Sequence, residues 1–253
     1  MTAEWIELEG ANNVRDLGGL RAGDGRTRTG VLLRSDALHD LTDDDVSVLT
    51  HEIGVCQIID LRAPHERAER GRGRLGGTDV RFTELEVVGP DDLARRAAAR
   101  ADGFASGKSA ATIIGDGYVE LLDLGAPAFI AAFTTIVGPG GTPALIHCAI
   151  GKDRTGVLVA LLLDTAGVDR DEIVADYARS GERMAPIIAR WTAGDAGVSI
   201  NEQFAAFTAA AAPESMAITL DHLHTRWGGG AAYFESHGVP AAAVEQWRAA
   251  LLA

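Results

Sequence analysis

The stretch "ALIHCAIGKDRTGVLVALLL", residues 144–163, governs the reading of the whole chain. It opens as a short apolar run with strand character and closes as a longer apolar run with helix character. Between the two stand His147, Cys148, Lys152, Asp153 and Arg154. Packing alone would favour small neutral residues at a strand-to-helix turn, so these side chains need another explanation.

Five residues, "AIGKD", separate Cys148 from Arg154, and Gly151 gives the turn conformational freedom. A turn folded around a helix start aims several backbone N–H groups at one point, the arrangement that binds a phosphate-like anion. Arg154, opening the helix, presents a planar fork to two oxygens of such an anion. The same donors stabilise a thiolate at Cys148, and a cysteine in that setting falls from about 8.5 to roughly 3.5–7.5. The turn therefore reads as an anion cradle that makes its own nucleophile.

The bulk numbers bound the rest. A chain of 253 residues with 47% hydrophobic content has room for a sizeable core, here read as one domain over residues 1–253. Its net charge of -13 argues against nucleic acid or an anionic membrane surface as a bulk partner, so any bound anion must be held by a local cluster. Of 23 basic residues only Lys108 and Lys152 are lysine, which sets the lysine of the turn apart from background. Cys56 and Cys148 are too few for a disulfide framework and lack metal-ligand spacing; a reducing compartment is expected, with Cys56 in the core. The acidic start "MTAEWIELEG" does not read as a signal peptide, and no apolar run reaches the roughly 18–20 residues of a membrane span. The expectation is a cytoplasmic chain without cofactor or metal, its oligomeric state unreadable.

"VLLRS" (31–35), "VCQIID" (55–60), "VRFTEL" (80–85) and "ALIHC" (144–148) have strand character, and helical segments separate most of them. One helix is well signalled: Thr42 can cap it with Asp45, Leu41 and Val46 can staple it, and Gly54 can end it. This alternation predicts an α/β fold, a mostly parallel central sheet flanked by helices, with ligands beyond the carboxyl ends of the strands. Residues 90–117 depart from it, reading as a charged helix followed by a Gly/Ser-rich segment, together a mobile insertion. From about 168 to 253 the pattern is helical, with breaks that include "TAGDAG" (192–197), and reads as a cover over the site.

"HCAIGKDRTG" resembles the His-Cys-(x)5-Arg-Thr/Ser-Gly loop of the protein tyrosine phosphatase superfamily. With "NNVRDLGGL" (12–20), "LLRSDAL" (32–38), "IIDLRAPHER" (58–67) and "DEIVADYARS" (171–180) it resembles, more narrowly, the bacterial tyrosine phosphatases whose loop reads His-Cys-x-x-Gly-Lys-Asp-Arg-Thr-Gly. The resemblance implies a tyrosine-phosphatase-like fold and metal-free phosphoryl transfer through a cysteinyl-phosphate on Cys148. It implies substrate contact by Ala149, Ile150, Gly151, Lys152 and Arg154, and a hydroxyl from Thr155 for the departing sulfur. The implied substrate is a phosphotyrosine protein or another phosphomonoester. A Lys beside the loop and an Asp before its Arg also resemble phosphoinositide phosphatases.

No Trp-Pro-Asp tripeptide is present to supply a general acid. Asp153 is the first candidate for that role and Asp60, at the end of the "VCQIID" strand, the second; the alternative for Asp153 is an ion pair with an arginine. Lys152 suits a second anionic group, against the plainer reading of a solvated charge at a turn. Arg62 divides between substrate contact and an internal network. Arg15 and Asp16 are expected in a buried network that fixes the loops. His147 should point away from the nucleophile and serve by hydrogen bonding, while Tyr177, His222 and His224 should pack the cover. Three rival classes fare worse. A nucleotide P-loop needs other residues at Ile146 and Asp153, a sulfurtransferase loop lacks the Arg-Thr-Gly ending, and a phosphoprotein-binding module would have lost Cys148.

Overall fold

The computed structural model describes residues 4–193, 207 and 210–253. Short strands β1 (Arg15–Asp16), β2 (Arg21–Ala22) and β3 (Gly25–Arg26) lead into β4 (Leu32–Ser35). Helix α1 (Asp43–Ser47) continues as a π-helical turn over Val48–Glu52; β5 (Gln57–Asp60), α2 (Pro64–Arg70) and β6 (Arg81–Glu84) follow. Then come α3 (Pro90–Ala105), α4 (Ala110–Leu124), α5 (Ala126–Val137), β7 (Ala144–His147) and α6 (Asp153–Ala166). The described part ends with α7 (Arg170–Arg179), α8 (Met184–Ala193), α9 (Pro213–Trp227), α10 (Gly230–Ser236) and α11 (Ala241–Leu251).

The main sheet runs β1-β4-β7-β5-β6, antiparallel only where β1 meets β4. Its register sets Ser35, His147, Asp60 and Glu84 side by side at the carboxyl ends of the parallel strands. Every residue of the three inner strands is buried, because both faces of the sheet are covered. Leu32, Ile59 and Ile146 enter the larger core, with Phe129, Phe133, Leu158 and Trp247 from the helices. Leu33, Ile58 and Leu145 enter a smaller one, with Leu38, Leu41, Leu49 and Val55. Successive residues thus serve opposite faces, as the pleat requires.

The cap of α1 is reciprocal: the Asp45 N–H donates to the Thr42 hydroxyl oxygen at 3.2 Å, and the Thr42 N–H to Asp45 at 3.0 Å. The Asp45 carboxylate also accepts from the Glu9 and Gly10 N–H groups, so the cap ties down the N-terminal segment as well.

Two expectations change. The segment expected to be flexible up to Gly117 is helical from Ala110, because the Thr112 N–H donates to Ser109, which caps α4; Ile113, Ile114, Tyr118, Leu121 and Leu122 then bury in the core, and α4 packs along α9. The Gly/Ser-rich link shrinks to residues 106–109. Cys56 lies just ahead of β5, half-buried, its thiol donating to the Gly140 carbonyl at 3.3 Å, where a core position was expected. Helices do fill the described parts of 168–253, while the break at "TAGDAG" lies largely outside the described residues. Among those described, no single helix is long and apolar enough to cross a membrane.

Candidate active site

The turn after β7 closes against the segment that follows β4. Gly151 has φ +69°, and a Cβ there would sit 2.3 Å from the Ser35 carbonyl oxygen, so both the backbone angle and the close approach demand glycine. Three successive carbonyls of the turn face inward to the protein. Ala149 O accepts from the Ala37 N–H at 3.2 Å, Ile150 O from Asn13 Nδ2 at 3.1 Å, and Gly151 O from Arg34 Nη2 at 2.6 Å. With their carbonyls anchored, the N–H groups of residues 149–154 have no acceptor among the described residues. Buried amide donors rarely stay unpaired, and a row of them at a helix start is an anion site.

The anchors rest on a buried ion-pair network. Asp176 on α7 accepts from Arg15 Nε at 2.7 Å through one oxygen and from Arg34 Nη1 at 2.6 Å through the other. Burial alone would push the Asp176 carboxyl up, but the two guanidiniums outweigh it and hold it below its ordinary 3.8. Burial and the neighbouring Arg34 bring Arg15 down to about 10. Arg15 also donates to the Asn13 side-chain oxygen, which turns the other end of that amide toward Ile150. The network expected around Arg15 exists, with Asp176 as its acid. Asp16 instead accepts from the Gly18 and Gly30 N–H groups.

Cys148 lies at the base of the turn, 1% exposed. Arg154 is held as a fork: Nη1 and Nη2 donate to the two oxygens of Glu66 on α2 at 2.6 and 2.9 Å, and Nη1 also reaches the Leu61 carbonyl. Burial opposes its charge, while Glu66 and the neighbouring Cys148 push its pKa further up. The Ala63 N–H fixes Glu66 in turn, which stays ionised because Arg154 overrides the effect of burial.

Asp153 stands at the rim with its side chain 37% exposed. Its Oδ1 accepts from the Tyr118 hydroxyl at 2.5 Å and lies 3.3 Å from Lys152 Nζ. Burial raises its pKa, but Lys152, the Tyr118 hydroxyl and Arg154 together hold it below 3.8. Its neighbours are therefore a lysine and a tyrosine, and the expected arginine partner is Glu66's instead. Lys152 is not a solvated charge: 1% exposed, it donates to the Ala210 carbonyl at 2.9 Å.

Cys148, Ala149, Ile150, Lys152, Asp153 and Arg154 all line one pocket of about 530 Å³, together with Glu66, Tyr118, Arg96, Arg100 and apolar walls from Val88, Leu93, Ile113, Ile114 and Phe207. Thr155 is fully buried, and its hydroxyl has no hydrogen-bond partner among the described residues.

Asp60 and Arg62 do not line the pocket. Asp60, expected to face the crevice, is fully buried and turned back on its own strand end. It accepts from Arg62 Nε at 3.0 Å and Nη2 at 2.7 Å, with the His147 ring 3.7 Å away. Burial would raise its carboxyl, but His147 and Arg62 hold it below 3.8. Once Asp60 is buried, the Arg62 guanidinium two residues on supplies the partners that both its oxygens need. His147 is buried, with Nδ1 3.2 Å from the Cys148 carbonyl. His224 meets Asp164, and the His222 ring meets Trp227.

A family model described as "Tyrosine phosphatase family" matches residues 6–253. The chain belongs to the tyrosine phosphatase family. It is a cysteine-based protein tyrosine phosphatase acting on phosphorylated substrates. The "Triple specificity protein phosphatase PtpB" of Mycobacterium tuberculosis is 36% identical over 203 residues, covering 73% of this chain and 72% of that protein. A "Tyrosine-protein phosphatase" of Nostoc commune is 31% identical over 229 residues, covering 87% of this chain and 73% of that protein. Among solved structures, the core catalytic domain of the PP-IP phosphatase SIW14 from S. cerevisiae overlays with TM-score 0.37 at 18% identity, covering 61% of this chain and 74% of that one.

The phosphatase residues that sequence reasoning missed are Glu66, Tyr118, Arg34, Asp176 and Asn13. Only Glu66 carried a local signal, an acid two residues after Pro64 at the start of α2, where a carboxylate caps the first turn.

Proposed function

We propose that Cys148 is the nucleophile of a two-step hydrolysis of phosphomonoesters and that Asp153 moves the proton. The observation that carries this reading is the anchoring of the carbonyls of residues 149–151 to the protein, which leaves the amides of the turn after Cys148 without acceptors among the described residues, beside the clamped Arg154. In the first step the Cys148 sulfur attacks phosphorus. The S–P bond forms as the P–O bond to the leaving group breaks, and Asp153 gives its proton to the departing oxygen. The amides and the Arg154 fork hold the equatorial oxygens, whose charge they match best in the transition state. In the second step water attacks phosphorus, Asp153 takes its proton, and the S–P bond breaks to return the thiolate and inorganic phosphate. The buried Thr155 hydroxyl can donate to that thiolate as it leaves.

Asp153 is ionised in the free site at neutral pH, so the proton it donates arrives with a monoanionic phosphate ester or from solvent once the substrate dianion raises its pKa. Asp60 is the weaker candidate because its oxygens are consumed by Arg62.

The pocket walls suit an aryl phosphate: apolar side chains flank the way to the loop, and about 530 Å³ accommodates a tyrosine ring. Arg96 and Arg100 in the same pocket favour a second reading alongside it, hydrolysis of esters carrying a further anionic group, phosphoinositides included. The specificity named for the mycobacterial relative supports that breadth. Relative kcat/KM on phosphotyrosine peptides, phosphoserine peptides and phosphoinositides tests it. A preference for phosphoserine peptides over both other classes would overturn the assignment.

A further inference from the structure

We infer that Tyr118, backed by Tyr177, is the positioning residue for the proton-transferring carboxyl, fixing Asp153 Oδ1 so that Oδ2 alone carries the proton into the pocket. The inference rests on the reading of Asp153 as the acid.

The geometry behind it is a hydrogen-bond chain crossing three helices. The Tyr118 hydroxyl on α4 donates to Asp153 Oδ1 at 2.5 Å, and the hydroxyls of Tyr118 and Tyr177 are 2.9 Å apart. Because the Tyr118 proton goes to the carboxylate, Tyr177 on α7 must supply the proton between the two phenols. Both rings are buried and meet edge to face with centroids 5.7 Å apart, so neither hydroxyl can swing away without opening the core. Lys152 Nζ, 3.3 Å from Oδ1, approaches the same oxygen. Two donors thus converge on Oδ1, while Oδ2 has no partner among the described residues.

A carboxyl whose one oxygen is committed to donors takes its proton on the other. The Tyr118 bond is compatible with both protonation states, since Oδ1 accepts whether it belongs to a carboxylate or to the carbonyl of the neutral acid. Asp153 can therefore lose and regain its proton in each half-reaction without changing rotamer, and this matters because a small error in the placement of a proton donor erodes its effect. The charged and titratable groups around Asp153 are Lys152 and Arg154 on its own turn, Tyr118 on α4, Tyr177 on α7 and Arg96 on α3. Removal of the Tyr118 hydroxyl takes away a donor that favours the ionised form.

The test uses the full chain and a series of aryl phosphates whose leaving-group pKa spans that of nitrophenol to that of phenol. Tyr118→Phe is expected to slow the poorest leaving groups by on the order of 10-fold more than nitrophenyl phosphate, with KM little changed, and to move the alkaline limb of the kcat profile upward. Tyr177→Phe, which leaves Asp153 untouched, should show the same trend more weakly. In an Asp153→Asn background neither should add a further leaving-group effect. A uniform loss across the series for Tyr118→Phe, beside a steepened slope for Asp153→Asn, overturns the positioning role and leaves the acid standing. An unchanged slope for Asp153→Asn itself overturns both. Should Tyr118→Phe fail to fold, Tyr177→Phe decides alone: a steepened slope supports the inference, and a flat one sinks it.

Discussion

Glu66 and Arg154 meet as two parallel forks, each guanidinium Nη on a separate carboxylate oxygen, at 2.6 and 2.9 Å. With both side chains only 21% and 25% exposed, the pair is shielded enough to fix the direction in which the arginine faces the anion cradle.

Glu66→Gln keeps the shape and removes the charge. Breaking a half-shielded pair of this kind costs about 2 kcal/mol of stability, and Arg154 loses the partner that aims it. The expected result is a kcat/KM lower by roughly 10- to 100-fold with vanadate binding weakened in parallel. Steady-state kinetics and vanadate titration check it; unaltered vanadate affinity would show that the clamp does not orient Arg154.

Cys148→Ser should abolish turnover, by at least roughly 1,000-fold, while the site still binds oxyanions through its amides and Arg154. Calorimetric titration with phosphate or vanadate alongside an aryl phosphate assay reads both halves. Near-parental turnover by the serine variant would end the cysteinyl-phosphate mechanism.

Gly151→Ala places a methyl against the Ser35 carbonyl at 2.3 Å in a backbone conformation with φ +69°. The strain should cost on the order of 2–4 kcal/mol and splay the amides. Thermal melts should fall, and KM should rise more than the same loss of stability causes at a remote core position. Equal KM for the two destabilised variants would argue that the cradle tolerates the shift.

The Asp176 carboxyl gives a signed pH dependence. Its pKa is lower in the folded chain than the ordinary 3.8, so its contribution to stability is present above pH 3.8 and is lost as pH falls through the folded value. Asp176→Asn strands two buried arginines and should cost about 3–5 kcal/mol at neutral pH. Between neutrality and pH 3 the parent should therefore lose stability more steeply than the variant. Parallel melting curves over that range would count against the ion pair's role.

The turn itself was legible because its parts are contiguous: Cys148, Gly151, Asp153 and Arg154 announce an anion site within seven positions, and the apolar runs on either side announce the strand and helix that hold it. The cap at Thr42 and Asp45 was legible for the same reason. Glu66 was not, being 88 positions from the arginine it holds, and Tyr118 lies 35 positions from Asp153 on a stretch whose glycines suggested a loop. Asp60 shows the reverse error. A strand end pointing at a crevice looks like an active-site acid until the rotamer of Arg62 is known, and no local pattern contains that rotamer. The burial of Lys152 was not legible, because the carbonyl that receives it belongs to the segment just ahead of α9, 58 positions away.

The three ties on the turn's carbonyls come from Ala37, Asn13 and Arg34, and two of these depend on Asp176 to be held in place. During synthesis the first segments leave the ribosome long before Cys148, and Asp176 leaves after it. A nascent chain shorter than Asp176 thus carries the thiol without the scaffold that arms it. The turn that follows Cys148 is anchored only when the chain has folded as far as α7.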